Sequence, residues 1–124
     1  MTIAYWCVLI VGLLPYAFAI AAKAGASGFN NRTPRTFLAG LEGWRKRADW
    51  VQHNTFEALP LFAAAVIIAH QLDAAQGTVN TLAVTFVILR IVYGLLYIFD
   101  KPTLRSLIWF AALICVIALF FVAA

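Results

Sequence analysis

The residues of this chain able to do polar chemistry gather in two short stretches and one isolated position. RADWVQHNTFEALPLF, residues 47–62, sets Arg47, Asp49, Gln52, His53, Asn54 and Glu57 at the start of an apolar run. RIVYGLLY, residues 90–97, carries Arg90, Tyr93 and Tyr97, and Arg105 follows alone after Pro102. On a helical wheel Arg47, Trp50, Asn54 and Glu57 follow steps of 3, 4 and 3 and form one stripe, with His53 beside it. Arg90, Tyr93 and Tyr97 follow steps of 3 and 4 and form a second stripe. An acid, an amide, a guanidinium and two phenols on facing stripes make a polar cleft suited to a charged small molecule. Arg105 in the first turn of a helix is a cation at the positive end of the dipole, where it is disfavoured. Together with free backbone N–H groups it makes an anion site for phosphate, carboxylate or thiolate. The alternative is an anchor whose charge snorkels to the headgroups.

The elements that must position these groups are membrane helices. The chain has 124 residues, 65% of them hydrophobic and 11% charged, and a mean hydropathy of +0.92, outside the range of soluble domains. Four apolar runs, at about 3–22, 50–72, 78–99 and 104–123, each reach the roughly 20 residues that cross hydrocarbon. They leave no room for a soluble domain, so the expected fold is a single all-α unit, a four-transmembrane-helix bundle. Its second, third and fourth helices are joined by short connections and should be antiparallel neighbours.

Charge sets the expected orientation. Of the nine basic residues, Lys23, Arg32, Arg35, Arg45, Lys46, Arg47, Lys101 and Arg105 fall on one side of such a bundle, and Arg90 lies inside a span. The positive-inside rule makes that side cytoplasmic and puts the N- and C-termini on the non-cytoplasmic side. The net charge of +4 therefore reports topology, with some attraction to anionic headgroups, and nucleic acid is not an expected partner. The first run has no positive segment before it, which fits an uncleaved first helix rather than a signal peptide.

Depth gives a further expectation. Glu57 lies about ten residues, or about 15 Å, inside its helix, and Arg90 lies ten residues before Asp100, at matching depth. A lone charge near the midplane costs on the order of 2.5–3.5 kcal/mol. Glu57 and Arg90 are therefore expected to meet, within a subunit or across an interface, either as the wall of a cleft or as glue between helices. Pro15 and Pro60 each remove a backbone bond within a span, and Pro60 frees the Phe56 carbonyl beside Glu57. Pro102 suits the first turn of the fourth helix. TFLAGLEGW, residues 36–44, is a candidate interfacial helix showing Phe37, Leu38, Leu41 and Trp44 to lipid or protein. Arg47, Asp49 and Gln52 are expected at the interfacial rim, and His53 bonded to Asp49 or Glu57. His70, near the opposite face, cannot share a metal with His53 in one subunit. Cys7 and Cys115, without CxxC spacing, read as packing residues rather than disulfide or metal ligands.

These stretches resemble one family. RADWVQHNTFEALPLF before an alanine-rich span is similar to the second helix of the MAPEG family, membrane-associated proteins in eicosanoid and glutathione metabolism. The NxxExxPLF core is Asn54, Glu57, Pro60, Leu61 and Phe62; RIVYGLLY resembles the family's third helix. Leu104, Arg105 and Ser106 resemble the start of its fourth, and NRTPR at 31–35 the first loop of bacterial members. The resemblance runs along the whole chain. It implies a homotrimer in a bacterial inner membrane, with glutathione as co-substrate held between subunits near the cytoplasmic face. It implies that Asn54, Glu57, Arg90, Tyr93 and Tyr97 bind the tripeptide, with His53 and Trp50 behind them. Trp50 stands where the synthases carry an arginine that helps to bind it, and Arg47 or Arg45 is the expected compensating cation. Arg105 would stabilise the thiolate that attacks a lipophilic electrophile or hydroperoxide arriving from the bilayer. The other reading is a non-catalytic membrane protein that keeps the cleft for a lipid or small molecule. A small multidrug exporter has the same helix number, but exporters of that kind resemble one another in an acidic residue in helix 1, and residues 3–22 contain none.

Overall fold

A computed structural model of residues 1–124 contains helices and connecting turns only. α1 spans Ile3–Lys23, α2 Pro34–Ala39, α3 Gly43–Gln71, α4 Gln76–Ile98 and α5 Pro102–Ala123. All but the six-residue α2 are long and apolar enough to cross a membrane, which gives the chain a lipid environment. The four long helices alternate in direction, so both termini lie at one end and the basic connections at the other. α3 packs on α1, α4 and α5, and α4 packs on α1 and α5.

Apolar side chains need no special partner in lipid, so close approach of the helices depends on small residues and shape. Ala4, Ala65, Ala69, Ala83 and Ala112 are buried at the contacts, with Cys7, Val11, Val66, Val79, Cys115 and Leu119 between them. Phe62 of α3 stacks on Phe86 of α4 with centroids 4.1 Å apart. Nearer the basic end, Gly94 of α4 lets the Phe18 ring of α1 lie against its backbone; a Cβ there would stand 2.2 Å from Phe18 Cζ.

The two short turns share one device. Asp73 and Asp100 adopt left-handed backbone (φ 54° and 58°) just past α3 and α4. Asp73 N–H donates to His70 O and Ala74 N–H to Ala69 O; Asp100 N–H donates to Tyr97 O and Lys101 N–H to Leu96 O. This paired closure of a helix C-terminus is usually built on glycine, and aspartate is among the few residues that accept its backbone. Pro102 then takes the first turn of α5, where its missing N–H is no loss.

Three expectations are corrected. The second long helix begins at Gly43, ahead of the apolar run expected from 50, because the polar turn WRKRAD bonds other helix ends instead of leaving the helix. Arg45 Nη1 donates to Ala22 O and Ala24 O at the end of α1. Lys46 Nζ donates to Ala39 O at the end of α2. Arg47 donates through Nε and Nη2 to Ile98 O at the end of α4. Second, Asp49 is not an exposed rim residue but buried, Gln52 is half-buried, and neither Asp49 Oδ1 nor Gln52 Oε1 has a hydrogen-bond partner. With the helix already begun at 43, Asp49 lies in its second turn, next to Ala48, which packs against Ala22 and Leu38. Third, the interfacial helix is shorter and earlier than TFLAGLEGW, since Pro34 starts it and Gly40 ends it. Of its apolar residues Leu38 is buried, while Phe37 meets Phe29 edge-on.

Candidate functional site: a polar groove between α3, α4 and α5

The site begins with a buried cation. Arg90, on α4, is only 1% exposed. Its Nη2 donates to Asn54 Oδ1 at 2.8 Å and to Thr55 Oγ1 at 3.0 Å, both on α3. Its Cζ stands 4.3 Å from the ring centre of Tyr93, a contact that gains strength where water is excluded. Tyr93 meets Tyr97 edge-on at 5.8 Å, and the guanidinium of Arg105 lies over the far ring, 4.3 Å from its centre. Two phenols thus stand between two guanidiniums in one ladder, Arg90–Tyr93–Tyr97–Arg105. Spacing of 3 and 4 along α4 produces its first three rungs, and the turn at Asp100 returns the chain so that α5 supplies the fourth.

The expected direct pairing of Glu57 with Arg90 is absent within the chain, whose one close ionic contact is His53 with Asp49. Matching depth does bring both to one groove, where Asn54, Glu57, Ala58, Leu61, Phe86, Arg90, Trp109, Ala112, Leu113 and Val116 enclose about 210 Å³. Arg90 is held on the inner wall by Asn54 and Thr55, whereas Glu57 is exposed on the outer edge of α3. The Nε of Arg90 is buried and makes no hydrogen bond.

Two shallower hollows continue this groove toward the basic end. One is lined by Asn54, Tyr93, Tyr97, Arg105, Ser106, Trp109 and Phe110. The other is lined by Trp50, His53, Asn54, Glu57, Tyr93 and Tyr97. Asn54 belongs to all three spaces, so the polar residues form one continuous wall with an apolar arm toward the middle of the bundle. Of the site residues expected from sequence, all line this wall except Arg47. Arg47 instead holds the Ile98 carbonyl, one residue beyond Tyr97. Trp50 faces Tyr97 at 6.2 Å.

Sequence reasoning missed two residues. Thr55 is fully buried and shares the Arg90 guanidinium with Asn54; a single threonine in an apolar span gives no signal of its own. Trp109 lines both the apolar arm and the Arg105 hollow, and its place one turn after Arg105 on α5 could have pointed to it.

The arrangement defines a class: a four-span helical membrane protein whose polar groove combines two guanidiniums, two phenols, an amide and a carboxylate with an apolar arm. The chain belongs to the MAPEG family, whose model matches residues 3–124. Compared with curated proteins and with solved structures, it matches none.

Proposed function

We propose that the protein is a glutathione-dependent membrane transferase or peroxidase acting on lipophilic electrophiles or hydroperoxides. The observation that carries this reading is the Arg105 guanidinium, held 4.3 Å over Tyr97 at a hollow shared with Asn54, Tyr93 and Ser106. A fixed cation beside a thiol favours the thiolate, the reactive form. The side chains fit the tripeptide's charges: Glu57 and Asn54 accept from ammonium and amide groups, while Arg90, Tyr93 and Tyr97 donate to carboxylate and carbonyl oxygens. The apolar arm past Leu61, Phe86 and Leu113 suits a reaction partner that arrives through the bilayer. Arg47 serves indirectly, by fixing the end of α4 that carries Tyr97. Trp50 and His53 flank the ligand.

Exposure supports an oligomer. Glu57, His53 and Trp50 all face outward from a single chain, and a carboxylate turned to hydrocarbon is expensive. A neighbouring subunit over this face removes that cost and closes the groove, which accords with a homotrimer. The basic ends of the helices make the open end of the groove cytoplasmic under the positive-inside rule, in a bacterial inner membrane.

Calorimetry on purified protein in detergent is the direct test. Glutathione binds, binding weakens in Glu57→Gln, and turnover is lost in Arg105→Ala. Absence of glutathione binding at millimolar concentration overturns the proposal. The apolar arm also favours a second reading, a non-catalytic protein that holds a lipid or small molecule in the same groove. Native mass spectrometry of freshly purified protein that finds a retained lipid, with no turnover of standard electrophiles, would establish that reading instead.

A further inference from the structure

Asp49 is 3% exposed, and its Oδ1 accepts no hydrogen bond. One helical turn on, His53 Nε2 stands 3.5 Å from that oxygen, close enough for charge attraction though not aligned as a hydrogen bond. His53 itself is open, its side chain 66% exposed, and it lines the groove with Trp50, Asn54, Glu57, Tyr93 and Tyr97. A buried carboxylate without a partner is costly in a membrane helix. Here it lies 3.5 Å from an imidazole that also lines the groove, an acid placed to balance the charge of a protonated base.

A thiol entering the groove has to lose a proton, and few groups along the wall can take it. The guanidiniums of Arg90 and Arg105 keep their charge and have no acceptor atom. Tyrosine hydroxyls carry their own proton at neutral pH, and carboxylates as a class are weak bases there. Neither Asn54 nor Trp50 offers a basic atom. Imidazole is the side chain whose ordinary protonation change falls near neutrality. The titratable groups facing it are Asp49 and Glu57 on α3 and Tyr93 and Tyr97 on α4; Arg105 on α5 lines the adjoining hollow, and Lys46 on α3 lies over the Trp50 ring. α1 brings Tyr16 edge-on against Phe56, and α2 brings the Ala39 carbonyl already held by Lys46.

We propose that His53, backed by Asp49, is the base that receives the thiol proton, so that Arg105 stabilises the sulfur's charge while His53 removes its hydrogen. The inference rests on the thiol reading of the site given above. The role requires the tautomer with its proton on Nε2, the nitrogen nearer Asp49, and its lone pair on Nδ1. The S–H bond breaks, its electron pair stays on sulfur, and the proton passes to Nδ1. The imidazolium so formed is balanced by the Asp49 carboxylate. His53 and Arg105 line adjoining hollows that share Asn54, Tyr93 and Tyr97, so one ligand spanning both would meet the two side chains.

The test is stopped-flow ultraviolet absorbance of the thiolate after mixing protein with glutathione, without any electrophile. In His53→Ala, at saturating glutathione, the thiolate forms about 10²–10⁴-fold more slowly, the range typical of a lost general base, with the oligomer's elution profile retained. Added imidazole restores the rate, which a merely structural role would not allow. Asp49→Asn slows thiolate formation in the parent chain and adds no further loss in the His53→Ala background. A His53→Ala protein that forms thiolate at the parent rate overturns the proposal, as does a slow variant that imidazole fails to rescue. If the parent binds no glutathione, the thiol reading itself falls and takes this inference with it. If the parent binds glutathione and forms thiolate irrespective of residue 53, only the proton-acceptor role is lost.

Discussion

Replacing Thr55 with Val tests whether the Arg90 guanidinium organises the groove. Thr55 is fully buried, and its Oγ1 accepts from Arg90 Nη2 at 3.0 Å. Valine keeps the branched shape and removes the acceptor, leaving Arg90 with Asn54 as its remaining hydrogen-bond partner. A hydrogen bond to a charged group contributes about 1.5–3 kcal/mol, whereas interhelical hydrogen bonds in membrane proteins average about 0.6 and reach about 1.7 kcal/mol. A charged donor this deeply buried belongs at the upper end of the membrane range, so Thr55→Val should destabilise by about 1.5 kcal/mol. In the Arg90→Met background the same change removes a hydroxyl that has lost its donor, and its effect should fall to about zero or become stabilising. The double-mutant cycle is measured by denaturant unfolding in detergent, followed by tryptophan fluorescence. The coupling between the two positions should exceed about 1 kcal/mol, above the ordinary membrane value. Equal costs of Thr55→Val in both backgrounds would refute the assignment of Thr55 to the cation.

Gly94→Ala should cost about 1–3 kcal/mol by overpacking, since the new Cβ meets Phe18 Cζ at 2.2 Å; thermal unfolding should show most of that loss recovered by Phe18→Leu. Arg47→Met withdraws two N–H donors from Ile98 O and should speed amide hydrogen exchange at the end of α4. The same variant should weaken glutathione binding without abolishing it, because it loosens Tyr97 rather than removing a ligand contact. Lys46→Met should free α2 and speed exchange around Gly40 while leaving glutathione affinity unchanged, which separates the two neighbouring cations.

The number of spans was legible in the sequence because hydropathy and helix length act residue by residue in lipid, and the four runs needed no tertiary information. The stripe Arg90, Tyr93, Tyr97 was equally legible, since helical spacing alone puts its members on one face, and the structure keeps them in contact. Partner choice was not. Matching depth for Glu57 and Arg90 followed from counting residues, but depth leaves open rotation about the helix axis. Rotation turns Asn54 and Thr55 toward α4 and Glu57 toward the edge. The burial of Asp49 was hidden for a related reason: an acid near the end of a hydrophobic run looks like a rim residue until the start of its helix is known. That start depended on where Arg45, Lys46 and Arg47 find acceptors, which no local pattern encodes.

Those three consecutive cations explain why the groove has the shape it has. At the basic end α1, α2 and α4 each terminate with carbonyl groups that no intrahelical N–H can satisfy. Successive residues of a helix point about 100° apart, so Arg45, Lys46 and Arg47 reach three directions from one turn of α3. Each direction holds a different C-terminus: Ala22 and Ala24 for α1, Ala39 for α2, Ile98 for α4. A cation at a C-terminus is favoured by the helix dipole as well as by the hydrogen bond, so each contact fixes the rotation of α3 as well as its position. Once that rotation is fixed, Asn54, two turns further along, must face Arg90 and Tyr93, and Glu57 must face the groove's outer edge. Arg105 is the exception that this arrangement makes useful. It lies at the N-terminal end of α5, where the dipole opposes it, and its guanidinium rests over the Tyr97 ring. The cations at helix C-termini are occupied with structure, whereas the one placed against its dipole bonds no helix end, which is why the proposed function assigns the anion to it.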